Sequence, residues 1–501
     1  LSLLGIDLGT TGCKAGAIDE TGRFLSLAYR EYEMLHPQPG WAELDSQVVW
    51  GKVKEVIREV TATTKNDPIT AVAVSSMGEA TTPVSADRSI IGNCLIGFDS
   101  RGDEYVVDLE IDPGRERLHA LNGNILGGAY AAPKLAWLRD HDADRFQQAY
   151  KYLLWGGLVG YLLGGEATTD PSLANRTLLL DIHTGDWSPE MLKATGLPLE
   201  KLPKVVPSAT PIGQVDDALA DELGLSRGVQ IVSGAHDQCC TALGAGVVRP
   251  GLATYGMGTF ITVAPVYDTI PPSQPMLDSG MNVEHHAVPG LYVSFLFNPT
   301  GGSALRWIRD TMARADHQEA RRKGIDIYDQ LMSEMPDEPT NLLVLPHFAP
   351  CGPPTFDPAS AGVIAGLKLE TSRGEVTKGI LEGVTYYFAE GLDLLTQAGL
   401  EANEFRATGG GAKGDAWLQL TADVLGQPIA RLAVSECGVL GAAILAGVGS
   451  GVFTSPAETA ETCVQVTRWF EPSAPKHAVY REKLAQYKQL YPLLKDTLHQ
   501  L

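Results

Sequence analysis

Two stretches of this chain, one at its start and one just past its middle, follow the same plan. "GIDLGTTGCK" (Gly5 to Lys14) continues an apolar strand into a Gly-Thr-Thr-Gly tip and a returning strand. "LATYGMGTFITVAPV" (Leu252 to Val266) runs from an apolar strand through a Gly-x-Gly-Thr tip to a second apolar strand. Short polar tips between apolar runs produce antiparallel hairpins. Glycines at the tip let backbone N–H groups turn inward toward an anion. The repeat constrains the fold to two similarly built halves, with an internal boundary expected near "GAGVVRPG" (Gly244 to Gly251). Two facing hairpins of this kind point to a nucleotide held between them.

The first hairpin carries more chemistry than a turn needs. Asp7 stands at the strand end, Thr10 and Thr11 offer hydroxyls, Gly9 and Gly12 free the backbone, and Lys14 adds a point charge. Asp7 could hold magnesium, usually through water, because that ion gives up its hydration shell reluctantly. A plain hairpin with a polar turn accounts for the same residues without a ligand. The stretch is not a P-loop, since G-x-x-x-x-G-K-[ST] occurs nowhere in the chain.

Length and charge narrow the class. A chain of 501 residues, 44% hydrophobic and 20% charged, is long enough for two or more domains with cores of their own. A net charge of -21 excludes a broad nucleic-acid surface, which needs basic residues opposite the phosphates. Seven cysteines without C-x-x-C spacing read as reduced thiols of a cytoplasmic protein rather than a disulfide frame or zinc site. No signal segment is expected before the first strand. The longest apolar stretch, "GVLGAAILAGVGSGVF" (Gly438 to Phe453), is glycine-rich and short for a bilayer span. It is expected to be a tightly packed internal helix.

Between the hairpins the periodicity alternates. Strands are expected at Leu3–Asp7, Lys14–Asp19 and Phe24–Tyr32. A helix follows over Ser46 to Val60, capped by Ser46 and burying Val48, Val49, Val53, Val56, Ile57 and Val60. "ITAVAVSS" (Ile69 to Ser76) reads as a buried strand parallel to the first, because a helix intervenes. "QIVSGAHDQCCTALGAG" (Gln230 to Gly246) reads as strand, polar turn and small-residue helix. The tail from Ala474 to Leu501 is an amphipathic helix with Tyr480, Leu484, Tyr487, Leu490 and Leu494 along one side.

Two further sites carry functional residue types. "ATGGGAKGDAWLQLTADVLGQPI" (Ala407 to Ile429) follows a strand and opens a helix, an arrangement that suits a base, ribose or phosphate. It also matches G-x-G-x-x-G at Gly409, Gly411 and Gly414, with Glu436 beyond it. An NAD-dependent oxidoreductase is therefore the competing class, although it leaves both Gly-Thr hairpins unexplained. Asp237 lies just past an apolar strand, where a carboxylate can accept a substrate hydroxyl's proton or simply cap a helix. His236 reads as a structural hydrogen-bonding side chain rather than a second base.

At this point the ordered set of motifs resembles the FGGY-type carbohydrate kinases of the actin–hexokinase superfamily, over nearly the whole chain. "GIDLGTTGCK" is similar to the family's first phosphate motif and "PGWAELD" (Pro39 to Asp45) to its Gly-Trp-x-Glu-x-Asp. "KLAWLRDH" (Lys134 to His141) matches much of the N-terminal signature, and "GGEATTDPSLANRTLLLD" (Gly164 to Asp181) resembles the stretch that precedes the catalytic base. "GMGTF" (Gly256 to Phe260) resembles the second phosphate motif; "TGGSALRW" (Thr300 to Trp307) and the Gly409 region resemble the nucleotide-side motifs.

The resemblance implies an α/β fold of two duplicated ribonuclease-H-like domains, with mixed sheets flanked by helices and an interdomain cleft. The halves are expected at residues 1–245 and 246–501. It implies transfer of the ATP γ-phosphate to a hydroxyl of a small sugar or polyol, with Mg²⁺ and with Asp237 as base. Asp7 becomes the metal-side acid. Thr10, Thr11, Gly12 and Lys14 would face the terminal phosphates, with Gly258 and Thr259 opposite. Gly302, Arg306, Gly410, Gly411 and Gly414 would border the nucleotide. Trp41, Glu79, Asp99, Arg101 and Gln238 are the sugar-pocket candidates beside Asp237.

Several positions depart from the family's patterns. The Gln-Met-His-Gly of xylulose kinases is "SSMGEA" here, so Gly78 replaces both that histidine and the arginine of glycerol kinases, while Glu79 falls where glycerol kinases keep a substrate-binding glutamate. Trp-x-Asp-x-Arg becomes "GFDSR" (Gly97 to Arg101), and Gly-Glu-Arg becomes "APCGPP" (Ala349 to Pro354). Loss of bulk at Gly78 and Gly97 is expected to widen one end of the sugar pocket. A pentulose of the xylulose or ribulose type is the acceptor first expected, with tetritols and other small polyols as the alternative. No nucleic-acid or membrane partner is expected, and a homodimer is left open.

Overall fold

The computed structural model describes residues 1–501. Its first sheet has six strands: β1 (Ser2–Leu8), β2 (Gly12–Ile18), β3 (Phe24–Glu31), β4 (Ile69–Ser76), β5 (Pro211–Gln214) and β6 (Gln230–His236), in the order β5-β6-β4-β1-β2-β3. β1 pairs antiparallel with β2 and parallel with β4. The parallel pairing follows from helix α1 (Ser46–Thr63), which carries the chain back to the starting edge. Asp45, rather than Ser46, caps this helix and accepts the Gln47 and Val48 amides, because Ser46 is itself the first helical residue and is buried against Thr82. Val49, Val53, Val56, Ile57 and Val60 are buried, each contributing about 1.5–3 kcal/mol. Val48 points outward and is 49% exposed.

The second sheet repeats the plan. β7 (Gly251–Met257) and β8 (Ile261–Tyr267) form the hairpin. β9 (Glu284–His285), β10 (Tyr292–Val293) and β11 (Leu296–Asn298) extend it on the β8 side. β12 (Ala402–Thr408), β13 (Ile429–Leu432) and β14 (Val466–Phe470) follow on the other. β7 is antiparallel to β8 and parallel to β12, as β1 is to β2 and β4. The duplication read from the two Gly-Thr tips is thus a duplication of topology.

Backbone-to-backbone packing joins the two sheets' elements. Helix α2 (Asp237–Gly244) continues from β6, and α3 (Cys437–Gly449) follows β13. A Cβ on Gly244 would lie 2.0 Å from the Cys437 carbonyl oxygen, and one on Gly441 2.0 Å from that of Cys240. Gly5 of β1 meets Val439 of α3 equally closely. Within "GVLGAAILAGVGSGVF", Gly441 is required because no side chain fits between these backbones, while Gly438 and Gly447 make room for the Asp7 and Phe453 side chains. Cys437 to Gly447 are buried on every face, as the apolar run requires. The C-terminal helix Ala474–Leu498 buries Tyr480, Leu484 and Tyr487, with Leu490 and Leu494 packed against the same core. No helix is long and apolar enough to cross a membrane. All seven cysteines are buried and unpaired, and burial pushes the Cys13 thiol up to about 12, far from a nucleophile's range.

Candidate active site

The ends of the two hairpins and the starts of α2 and α3 surround a cavity of about 250 Å³. Asp7, Lys14, Gln238, Thr241, Gly256, Gly258, Thr408, Gly409 and Glu436 are among its walls. Four of its sixteen lining residues are glycines, Gly256, Gly258, Gly409 and Gly438. Threonine hydroxyls supply donors, with Thr254, Thr262 and Thr408 coming from the second sheet. Sequence reasoning misses these three, because their places on the cavity wall emerge only once the strands are paired.

The first hairpin is held rigid from behind. Tyr32 donates its hydroxyl to the Gly9 carbonyl and, at 3.1 Å, to that of Gly12, while the Tyr32 amide reaches Thr11 at 3.2 Å. Thr10 and Thr11 sit at the tip, Thr11 exposed. The second hairpin is tied to the helix Gly302–Thr311: the Gly302 amide donates to Gly258 at 3.0 Å and the Ser303 amide to Thr259 at 3.1 Å. Gly302 therefore braces the tip. Arg306, one turn on, is exposed.

Asp7 accepts the Ser75 hydroxyl at 2.6 Å on Oδ1, and burial holds its carboxyl above the usual carboxylate range. Lys14 is bonded to Glu436. Glu436 is the acid that the G-x-G-x-x-G pattern offers to a ribose. The glycine loop does lie between β12 and the helix Asp415–Leu425, but Glu436 caps α3 and reaches across to Lys14 instead. No cluster of three or more His, Cys, Asp or Glu forms an all-protein metal cage. Two carboxylates beside a phosphate-sized space do fit magnesium, which keeps several waters and takes one or two carboxylates plus phosphate oxygens.

Asp237 opens α2 at the edge of this space, with its side chain 27% exposed. Burial, then the charges of Asp7 and Glu79, push its carboxyl up to about 7. Its Oδ1 lies 3.3 Å from Gln238 Nε2 and 3.3 Å from His236 Nε2, which leaves Oδ2 for a ligand. The β6 end is fixed by Ser172, whose Oγ accepts the His236 amide at 2.9 Å and donates to buried Asp170 at 2.6 Å.

The sugar-pocket candidates divide into two groups. Glu79 faces Asp237's neighbourhood with φ of 60°, a left-handed conformation costing a glutamate about 1–3 kcal/mol. Arg176 donates Nε (2.7 Å) and Nη2 to the same Glu79 oxygen, Oε1, so Oε2 has no protein partner. Arg176 also binds Glu284, which arrives from the second half. Arg176 lies within the Gly164–Asp181 motif, yet nothing in the local pattern gives it this role.

Asp99 and Arg101 form a closed unit. Asp99 takes Arg101 Nε at 2.9 Å, Arg101 Nη2 at 2.6 Å and the Ala42 amide at 2.7 Å, with none of its side chain exposed. Arg101 adds Glu43 at 2.7 Å and stacks its guanidinium carbon 3.9 Å above the Trp41 ring. One Trp41 face is thus covered by Arg101, and its edge meets Trp137 at 5.6 Å. In this arrangement both Asp99 oxygens are used within the unit, whereas Arg101 Nη1 and Trp41 Nε1 have no hydrogen-bond partner. The expected widening at Gly78 is corrected: a Cβ there would lie 2.6 Å from Arg176 Cγ, so the vacated space is filled. Gly97 keeps its space, with only Ala129 within 4 Å. Beyond it a cavity of about 1030 Å³, lined by Phe98, Phe260, Phe297, Trp307 and Phe348, takes Ala349 and Pro350 from the stretch that replaces Gly-Glu-Arg.

A phosphate-sized cavity between two like-built halves, with a poised carboxylate at its edge, defines a cleft phosphotransferase. The chain belongs to the FGGY family of carbohydrate kinases, matching the family's N-terminal domain over residues 2–244 and its C-terminal domain over residues 252–450. It is 30% identical to a glycerol kinase of Bordetella parapertussis, covering 98% of this chain and 97% of that protein. It is likewise 30% identical to an autoinducer-2 kinase of Escherichia coli, covering 98% and 94%. A xyloylose kinase structure from Brucella ovis superposes with a TM-score of 0.89 at 28% identity, over 99% of this chain and 100% of that one.

Proposed function

We propose that this carbohydrate kinase transfers the γ-phosphate of ATP to a hydroxyl of a small polyhydroxy acceptor, a pentulose first, with tetritols and other polyols next. The observation that carries this reading is Asp237: a carboxylate held near neutral pH, with Oδ2 open, beside a cavity that Asp7 and Lys14 line. A base with a pKa near the working pH is ionised often enough to act and basic enough to take a hydroxyl proton. Asp237 Oδ2 accepts that proton as the acceptor oxygen bonds to the γ-phosphorus and the bond to the bridging oxygen breaks, releasing ADP. Glu79 Oε2 takes a second hydroxyl and orients the sugar. The Gly9–Gly12 and Gly256–Thr259 tips hold the phosphates from opposite sides, and the Gly409–Gly414 loop with Arg306 borders the adenosine.

Asp7, through water, would hold Mg²⁺, which supplies charge neutralisation on the phosphates. Lys14 exchanges its Glu436 partner for phosphate. The two lobes are taken as residues 1–245 and 246–501. The open space at Gly97 favours an acceptor longer than three carbons. The test is ADP release with MgATP across glycerol, erythritol, xylitol, D-xylulose, D-ribulose and D-fructose. The expected result is turnover on a five-carbon ketose above that on glycerol. Preference for glycerol would overturn the acceptor assignment, and NAD⁺-linked oxidation without any ADP release would overturn the reaction.

A further inference from the structure

The strand that delivers the base ends on a second titratable side chain. His236 is 7% exposed and meets Phe295 edge-on at 5.5 Å. Its Nε2 lies 3.3 Å from Asp237 Oδ1. Its Nδ1 is buried without a hydrogen-bond partner and faces Glu284 Oε2 at 3.9 Å. That oxygen is buried and unpartnered too, although Glu284 Oε1 accepts both Arg176 and, at 2.6 Å, Asn282 Nδ2. Buried polar atoms are nearly always paired. Here two orphans face each other with a gap about 1 Å longer than a hydrogen bond.

The proton count follows from the neighbours. Burial and the nearby Arg176 charge hold the imidazole well below the usual histidine range, so it is neutral and only one nitrogen carries hydrogen. An ionised Asp237 requires that nitrogen to be Nε2, since two acceptors at 3.3 Å would repel. Nδ1 is then an acceptor in need of a donor, and Glu284 Oε2 is the group facing it. Burial holds the Glu284 carboxyl above the usual carboxylate range, against the pull of Arg176. A neutral Glu284 also leaves Arg176 balanced one-to-one by Glu79.

We propose that Glu284, carrying its proton on Oε2, fixes His236 as the Nε2–H tautomer, and that His236 holds Asp237 Oδ1 so that Oδ2 meets the acceptor hydroxyl. Both are positioning residues, and the assignment rests on Asp237 being the base. It places a residue of the second half, Glu284, in control of the base of the first.

The direct test is the imidazole itself. In full-length protein with ¹⁵N-labelled histidine, the His236 signal is identified by its loss in His236→Gln. The expected spectrum at pH 8, where Asp237 is ionised, shows a protonated Nε2 and a bare Nδ1. Glu284→Gln, whose amide still donates, keeps that tautomer, and Glu284→Leu loses it. An Nδ1–H tautomer or an imidazolium in the parent protein overturns the proposal. The kinetic arm uses MgATP and the acceptor selected above. His236→Leu lowers kcat about 10–100-fold, the scale on which outer partners of a reacting group act. The nucleotide KM stays put, and the acid limb of kcat/KM moves to higher pH, because a donor to the charged carboxylate is gone. His236→Gln, which can still donate, retains kcat within a few-fold. Full activity in His236→Leu alongside an inactive Asp237→Asn overturns the positioning role and leaves the base in place. An active Asp237→Asn overturns both. Should His236→Leu fail to fold, the tautomer measured in Glu284→Gln and Glu284→Leu decides.

Discussion

Arg176 occupies the space that Gly78 leaves. A Cβ at residue 78 would stand 2.6 Å from Arg176 Cγ and 3.0 Å from its Cβ, near the root of the side chain where rotation gives no escape. The guanidinium so placed joins Glu79 to Glu284. Gly78→Ala is therefore expected to push Arg176 aside. The expected outcome is a stability loss of about 1–3 kcal/mol, the usual scale of overpacking, together with a lower kcat/KM. Urea denaturation and steady-state kinetics check it; a neutral effect on both would mean that Arg176 has room to spare.

Removing Arg176 itself leaves the Glu79 carboxylate without its cation and the Glu284 carboxyl without its donor. Arg176→Met should cost roughly 3–5 kcal/mol, the scale for breaking a buried pair from one side. Circular dichroism with denaturant reads this loss. A midpoint equal to that of the parent protein would show that both carboxyl groups find other partners.

Glu79→Gln bears on the acceptor. Glu79 Oε2 is free, and a site built to accept a hydroxyl rejects the matching deoxy sugar. The substitution should erode that discrimination by on the order of 1–3 kcal/mol, the cost of one unsatisfied buried partner. Because Oε1 is tied to Arg176, the melting temperature should fall too, a consequence of a pairing that local sequence does not reveal. The ratio of kcat/KM for hydroxy and deoxy acceptors is the measurement; an unchanged ratio returns orientation of the sugar to another residue.

The pH behaviour follows from Asp237. Its carboxyl is raised from 3.8 to about 7, so the base is lost as pH falls, and the acid limb of kcat/KM should lie near 7. The same shift disfavours the folded state at high pH: the native form prefers the proton that the unfolded chain has already released. Asp237→Asn should therefore melt above the parent protein at pH 8. That gap should narrow as pH falls through about 7 and vanish near the ordinary carboxylate range, below about 4. Scanning calorimetry across pH checks this, and a gap that widens in acid would contradict it.

How much of this is legible in the sequence varies with the kind of interaction. The two hairpins, the parallel pairing of Ile69–Ser76 with β1 and the glycine-rich helix Cys437–Gly449 are legible because each rests on local periodicity or on glycine. Asp237, Asp7 and the Gly409–Gly414 loop stand at strand ends, where local pattern already points. Arg176, Glu284 and Thr408 are not legible in the same way. Their roles depend on pairings between distant segments, and nothing in "ANRT" or "NVEHH" says which groups they will meet. The pairing of Asp99 with Arg101 and the stacking of Arg101 on Trp41 are likewise not legible, because whether a side chain is free depends on partners that spacing does not reveal.

Turnover of Asp237→Asn tests whether Asp237 is the base of a sugar-phosphorylating cleft. The amide keeps the shape and one hydrogen-bonding oxygen but not the basicity. With MgATP and the selected acceptor, kcat should fall by roughly 10²–10⁴, the scale of a single general base, while ATP affinity from nucleotide titration stays within a few-fold. Turnover within a few-fold of the parent protein would contradict the account and reduce Asp237 to a helix-starting residue.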